Sequence, residues 1–158
     1  MIEQLCRVDP AVMERLAAID AAAFGAGGLS VWHLAPLIRH GRVFIFRQDG
    51  VIAASVQYML DWEQRDTAYM VGVAVDEHWR GQGIAYALLR ESFRLLQRQS
   101  LRYVELTVAP ENAAALALYE SKLGFSRSGY RENEYGPGEH RLILTLDLNG
   151  REPAATQG

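Results

Sequence analysis

The run Arg80-Gly81-Gln82-Gly83-Ile84-Ala85 lies between an apolar stretch, residues 69–75, and the start of a long amphipathic pattern. Two glycines let the backbone turn tightly and present several N–H groups to phosphate oxygens. A helix N-terminus behind them adds a partial positive charge and Arg80 a full one. A pyrophosphate is the natural guest. A nucleoside-triphosphate loop would need a Gly-Lys-Ser/Thr ending, which is absent. A dinucleotide fingerprint needs a small third residue where helix approaches sheet, and Tyr86 stands there. Taken alone, the run also reads as a strand-to-helix connection whose glycines serve only for turning.

Further along, Asn112, Leu116, Tyr119 and Leu123 are spaced by four, three and four residues and so share one face of a helix. Asn112 and Tyr119 are two turns apart, about 10 Å along the axis. A phenol with a pKa of about 10 keeps its proton at neutral pH and can donate it. On an isolated helix the same ring reads first as a core aromatic. His33, His40, His78 and His140 are scattered without metal-ligand spacing, and no serine or cysteine has a nucleophile's setting.

These residues belong to a chain of 158 residues, 49% hydrophobic and 22% charged, the make-up of one globular domain over residues 1–148 followed by a disordered tail, 149–158. The single cysteine, Cys6, excludes an internal disulfide. A net charge of −3 removes the footprint of a general nucleic-acid or membrane binder. The N-terminus does not read as a signal peptide and no run is long enough to span a membrane, so a cytoplasmic protein is expected.

The elements follow from period and punctuation. A short strand, 2–7, precedes a helix capped by Asp9-Pro10, with Val12, Leu16, Ile19 and Ala23 at helical spacing and an end near Gly25. A second helix starts at Ser30 and meets Pro36. Strands 43–47 and 51–60 flank the turn Gln48-Asp49-Gly50. The apolar run 69–75 reads as a strand buried on both faces, with Gly72 marking a bulge or close approach. Then come a helix over 83–99, a strand over 102–108, a helix over 112–123 and two strands, 125–134 and 140–148, joined at residues 135–138. The fold class is α/β (α+β): one mixed, mostly antiparallel sheet of about seven strands with about four helices.

Val73-Ala74-Val75-Asp76, followed by Arg80-x-x-Gly83-x-Ala85, resembles the acetyl-CoA motif of the GNAT acetyltransferase superfamily. Residues 112–120, ending at Leu123-Gly124-Phe125, resemble its second motif, with Tyr119 to Gly124 one residue longer than in many members. The resemblance implies a sheet splayed between its two central parallel strands, with acetyl-CoA in the opening. It implies that Val73, Ala74 and Val75 hold the pantetheine arm through the backbone. Arg80, Gly81, Gln82, Gly83, Ile84, Ala85 and Tyr86 would wrap the pyrophosphate, Asn112 would contact the cofactor's arm, and Tyr119 would serve as general acid toward the departing thiolate. The N–H of Val73 is then the donor to the oxyanion.

Glu105 is the candidate base, because alternation places it on one face with Thr107. Ribosomal-protein alanine N-acetyltransferases, which the chain is similar to, usually carry a catalytic glutamate where Thr107 stands; either Glu105 substitutes or water deprotonates the amine. Trp32, between the first two helices, and Tyr135, in the last hairpin, are the candidate acceptor contacts. The implied function is acetyl-CoA-dependent N-acetylation of a primary amine, foremost a protein or peptide N-terminus. The alternatives are a small-molecule amine acetyltransferase and a non-catalytic acyl-CoA-binding module. No metal is implied, and a homodimer is compatible with the hairpin's free edge.

Overall fold

Asp9 and Pro10 start the first helix, α1 (Pro10–Phe24): the Asp9 carboxylate accepts from the N–H groups of Ala11 and Val12 at 2.9 and 3.2 Å, and Pro10 occupies the first turn. Its buried residues are Met13, Leu16, Ile19 and Asp20, so Leu16 and Ile19 stand as expected while Val12 is half-buried. Ala23 stands exposed, and the place it would have taken falls to Asp20, which turns inward to bind the following loop. The second helix, α2 (Val31–His40), starts from a capping box of Ser30 and His33 and continues through Pro36.

The chain then pairs β1 (Ile2–Gln4), shorter than expected, with β2 (Arg42–Gln48), and β2 with β3 (Val51–Leu60), all antiparallel. Asp49 and Gly50 turn this hairpin with φ of +52° and +77°, the positive-φ pair that matches strand twist. Next come β4 (Thr67–Val75) and α3 (Ile84–Arg98). The remaining elements are β5 (Tyr103–Val108), α4 (Ala113–Leu116), which continues as a wider π-helical turn over Ala117–Lys122, and the antiparallel pair β6 (Ser126–Arg131) and β7 (Arg141–Asp147).

In this computed structural model, which describes residues 1–150, the strand order is β1-β2-β3-β4-β5-β7-β6, a seven-stranded mixed sheet with β4 and β5 parallel. Two compact units divide the chain, Met1–Leu60 with Met70–Ser92 and Asp61–Tyr69 with the chain from Phe93 onward. Of the expected tail, Asn149 and Gly150 close a turn on Asp147, and residues 151–158 lie outside the described residues.

In the first unit Met13, Leu16 and Ile19 of α1, Leu34 and Ile38 of α2 and Val43, Ile45, Ile52 and Ala74 of the strands form one cluster. Each fully buried Leu or Ile there contributes roughly 1.5–3 kcal/mol relative to exposure. On β3, Tyr58 packs edge-on against Phe44 at 6.0 Å, and its phenol meets the Ser92 hydroxyl of α3 at 2.7 Å. That bond gives the buried face of α3 a polar anchor among Ile84, Leu88 and Leu89. Strand β4 departs from its expected double burial: Met70 and Ala74 are buried, whereas Val71, Val73 and Val75 are only half-buried.

Asp76, which follows β4, ties the glycine run to this frame. Its carboxylate accepts the His78 N–H at 2.8 Å and pairs with Arg15 of α1 at 2.7 Å, while the same guanidinium donates to the Ile52 carbonyl. The His78 N–H first, then Arg15, hold the Asp76 carboxyl down at about 2. A depressed carboxyl stabilises the fold above its ordinary value of 3.8, and that stability is lost as pH falls from there toward about 2. Asp76→Asn should therefore lower the denaturant midpoint at pH 6, with the gap to the parent narrowing at pH 2.5; a gap of constant size would remove titration of Asp76 as its cause.

The second unit is built on β5, whose Val104, Leu106 and Val108 are buried while Tyr103, Glu105 and Thr107 share the other face. Phe125 joins its aromatic packing, meeting Phe93 at 5.9 Å and Tyr119 at 5.7 Å, both edge-on. The β6–β7 connection spans residues 132–140, longer than the expected four-residue turn, with Asn133, Gly136 and Gly138 all at positive φ. The Gly138 N–H donates to the Asn133 side chain at 2.8 Å and the Asn133 N–H to His140 at 3.1 Å, so the connection closes on itself before the strands pair.

Candidate functional site

The first unit supplies an anion-binding turn. Gly81 and Gly83 adopt φ of +77° and +74°, and a Cβ at either would meet nothing within 4 Å, so backbone conformation, not crowding, is what requires glycine. The turn opens directly into α3, with the Ala87 N–H reaching the Gly83 carbonyl at 3.1 Å. N–H groups at such a helix start, on a helix of fifteen residues, suit an anion. Gly81, Gln82 and Gly83 are exposed, Ile84 is buried, and Ala85 and Tyr86 are half-buried. Arg80 is exposed and donates from Nε to the Val75 carbonyl at 3.2 Å, which anchors its stem beside the turn.

The second unit supplies a buried phenol. Tyr119, 9% exposed, lies within the π-helical turn, where the Leu123 N–H bonds the Leu118 carbonyl at 3.0 Å and the Phe125 N–H the Tyr119 carbonyl at 2.9 Å. The next residue, Glu120, accepts a two-pronged bond from Arg127 of β6 at 3.1 and 3.0 Å. Burial pushes the Tyr119 phenol up to about 12. Its hydroxyl makes no hydrogen bond to another described residue. Asn112 caps α4 by accepting the Ala115 N–H at 3.1 Å and is exposed. The widening after Leu116 replaces the regular helix expected from Asn112 to Leu123.

Also in this unit, Glu105 is half-buried on β5, in register with Tyr69 of β4 on one side and Thr145 of β7 on the other. Thr107, two residues on, meets the Tyr69 phenol at 3.2 Å. Tyr135, 62% exposed, stacks under the Arg141 guanidinium at 4.7 Å. Desolvation is the main cause of a raised Tyr69 pKa. Tyr69 escapes a reading by sequence because it sits in an apolar run like any core residue.

Trp32, 85% exposed, projects from the first turn of α2 in the first unit. The loop before it is pinned to α1. Asp20, 4% exposed, accepts the Leu29 N–H through Oδ2 at 2.6 Å while its Oδ1 is buried without a partner, and desolvation raises its pKa. A Cβ on Gly28 would come within 2.9 Å of the Asp20 backbone, so this loop also needs glycine. Nothing local in the sequence marks Asp20, since the loop that binds it lies nine residues away.

Three of the four histidines serve local structure: His33 in the α2 cap, His78 on Asp76 at 3.0 Å, and His140 within the β6–β7 connection. Among the described residues no three His, Cys, Asp or Glu side chains converge as metal ligands. No single described helix is long and apolar enough to cross a membrane.

Residues 13–125 match the Acetyltransferase (GNAT) family. The chain is similar to ribosomal protein bS18-alanine N-acetyltransferase of Escherichia coli (strain K12), 36% identical over 109 residues that make up 67% of this chain and 71% of that protein. The crystal structure of the ribosomal-protein-S18-alanine N-acetyltransferase from Escherichia coli superposes with a TM-score of 0.77 at 26% identity, covering 98% of each chain. An aminoglycoside 6'-N-acetyltransferase complexed with coenzyme A superposes with a TM-score of 0.79 at 12% identity, covering 97% of this chain and 99% of that one, a likeness of fold alone.

Proposed function

This chain belongs to the acetyltransferase (GNAT) family, and we propose that the amine it acetylates is the N-terminal amine of a protein, in the first instance an alanine of a ribosomal protein. The enzyme is an N-acetyltransferase, and acetyl-CoA is its acetyl donor. The observation that carries the acceptor is the 36% identity to the bS18-alanine enzyme of Escherichia coli. A ribosomal acceptor places the reaction in the cytoplasm.

In this reading the turn over residues 80–86 receives the pyrophosphate on its N–H groups and Arg80, and the backbone of Val73, Ala74 and Val75 receives the pantetheine arm. The half-buried side chains of Val71, Val73 and Val75 support that, since a bound arm would complete the burial their apolar character calls for. Asn112, its Oδ1 engaged in capping, keeps its amide N–H groups for the same ligand.

The neutral amine attacks the thioester carbonyl carbon, the carbonyl oxygen becomes an oxyanion that the Val73 N–H receives, and the C–S bond then breaks. An α-amine of pKa about 8 is roughly one-tenth neutral at pH 7, whereas a lysine at about 10.4 is neutral in fewer than one molecule in a thousand. Weak assistance from Glu105 or water is enough for the former. Tyr119 is held protonated by its burial and donates to the sulfur as negative charge gathers there.

The test is thiol release from acetyl-CoA with short peptides bearing free N-termini, set against free amino acids and polyamines. The expected result is turnover with an alanine-first peptide, abolished by blocking the α-amine and unchanged by acetylating internal lysines. Turnover with small amines alone would overturn the protein acceptor, and tight acetyl-CoA binding without turnover on any amine would overturn catalysis itself.

A further inference from the structure

We propose that Asp20 is a positioning residue for acceptor recognition: it holds the loop between α1 and α2, and with it the stance of Trp32. The inference rests on the reading of Trp32 as an acceptor contact. Asp20, the loop and Trp32 all belong to the first unit.

An indole 85% exposed gains little hold from its own packing, so its stance is set by the backbone that carries it. That backbone is fixed in two steps. Locally, Ser30 and His33 close a capping box around the first turn of α2, which sets Trp32 relative to its own helix. The start of that helix is then tied to α1, nine residues back, by the Leu29 N–H, which donates to Asp20 Oδ2 at 2.6 Å. Between the two helices the chain runs through Gly25, Gly27 and Gly28, residues that lose the most backbone freedom on ordering and bring no side chain to offset it. A loop of this composition keeps one path only where something outside it holds it.

Gly28 shows how closely the loop is drawn onto α1. Its φ of −71° and ψ of 155° suit any residue, yet a Cβ there would stand 2.9 Å from the Asp20 carbonyl carbon and oxygen. Close approach alone calls for glycine, and the approach is onto the same residue whose carboxylate receives Leu29.

The way Asp20 is buried sets it apart from the residues that hold the fold. It is 4% exposed, and its Oδ1 is buried without a partner. A half-paired carboxylate in the interior is costly, and an apolar residue would serve the buried side of α1 better. What the carboxylate supplies instead is a short, charge-assisted bond at the far end of the loop, next to the helix start that carries Trp32.

The experiment measures kcat and the KM of each substrate for Asp20→Ala, Asp20→Asn, Gly28→Ala, Trp32→Ala and the Asp20→Ala/Trp32→Ala pair, with an alanine-first peptide as acceptor and thermal melts to confirm folding. Asp20→Ala should raise the peptide KM about threefold to tenfold, the net size of one hydrogen bond. Asp20→Asn, whose Oδ1 can still accept from Leu29, should stay within about twofold of the parent. Gly28→Ala pushes the loop off α1 without touching the carboxylate and should raise the same KM. The pair should do no more than Trp32→Ala alone, because Asp20 acts through Trp32. In every variant kcat at saturating peptide and the acetyl-CoA KM should not move.

If Trp32→Ala raises the peptide KM while Asp20→Ala leaves it unchanged, or if the two effects multiply in the pair, the positioning role is overturned and the acceptor reading of Trp32 stands. Should Asp20→Ala melt below the assay temperature, Gly28→Ala decides by the same criterion. If Trp32→Ala leaves the peptide KM unchanged, the proposal falls with its premise. A parent that turns over small amines and no peptide would overturn the protein acceptor and this proposal together.

Discussion

Tyr119→Phe should lower kcat about a hundredfold, the lower range for loss of a positioned general acid, and leave acetyl-CoA affinity unchanged. The substitution keeps the ring and with it the edge-on contact to Phe125 at 5.7 Å. The hydroxyl it removes bonds no other described residue, so no buried partner is stranded and stability should hold. Affinity is read by calorimetry and turnover by thiol release at saturating substrates. With the phenol at about 12, deprotonation of Tyr119 should produce no fall in kcat below about pH 10. A variant with the parent's kcat would take Tyr119 out of the mechanism.

Gly83→Val should raise the acetyl-CoA KM about fivefold to a hundredfold. A β-branched residue at φ +74° carries strain of order 1–3 kcal/mol, and relief requires the turn to swing out of the conformation that presents its N–H groups. Each 1.4 kcal/mol withheld from binding is about tenfold in affinity. The open space around a Cβ here means that the variant folds and the deficit appears in binding. Melting temperature without ligand should change little, whereas its rise on adding acetyl-CoA should shrink. An unchanged KM would mean that the turn does not receive the ligand in this shape.

What a sequence reveals here is what its neighbours decide. Asp9-Pro10, Ser30 and Asp49-Gly50 act within three or four residues, and their caps and turn stand where the residue types put them. Gly81 and Gly83 are legible for the same reason, since their positive φ is a local requirement. Tyr69 is not, because the hydroxyl that gives it a use lies 38 residues further along the chain. Asp20 reads as a polar interruption of an apolar face until the loop folds back and gives it the Leu29 N–H. The half-exposure of Val71, Val73 and Val75 could not be read from an apolar run, because hydrophobicity reports what should be covered and not by what.

The chain widens over Ala117–Lys122, where the Leu123 N–H reaches back to the Leu118 carbonyl. A helix can store an insertion as girth: one backbone bond reaches back five residues instead of four, and the chain leaves at nearly the same place. Ser126 pairs with Thr145 directly after that turn, and β6 then takes an irregularity of its own between Arg127 and Gly129, where one more residue lies on β6 than on β7. Extra length is taken up twice, as girth in the helix and as a bulge in the strand, and from Gly129 onward the two strands run in a single register.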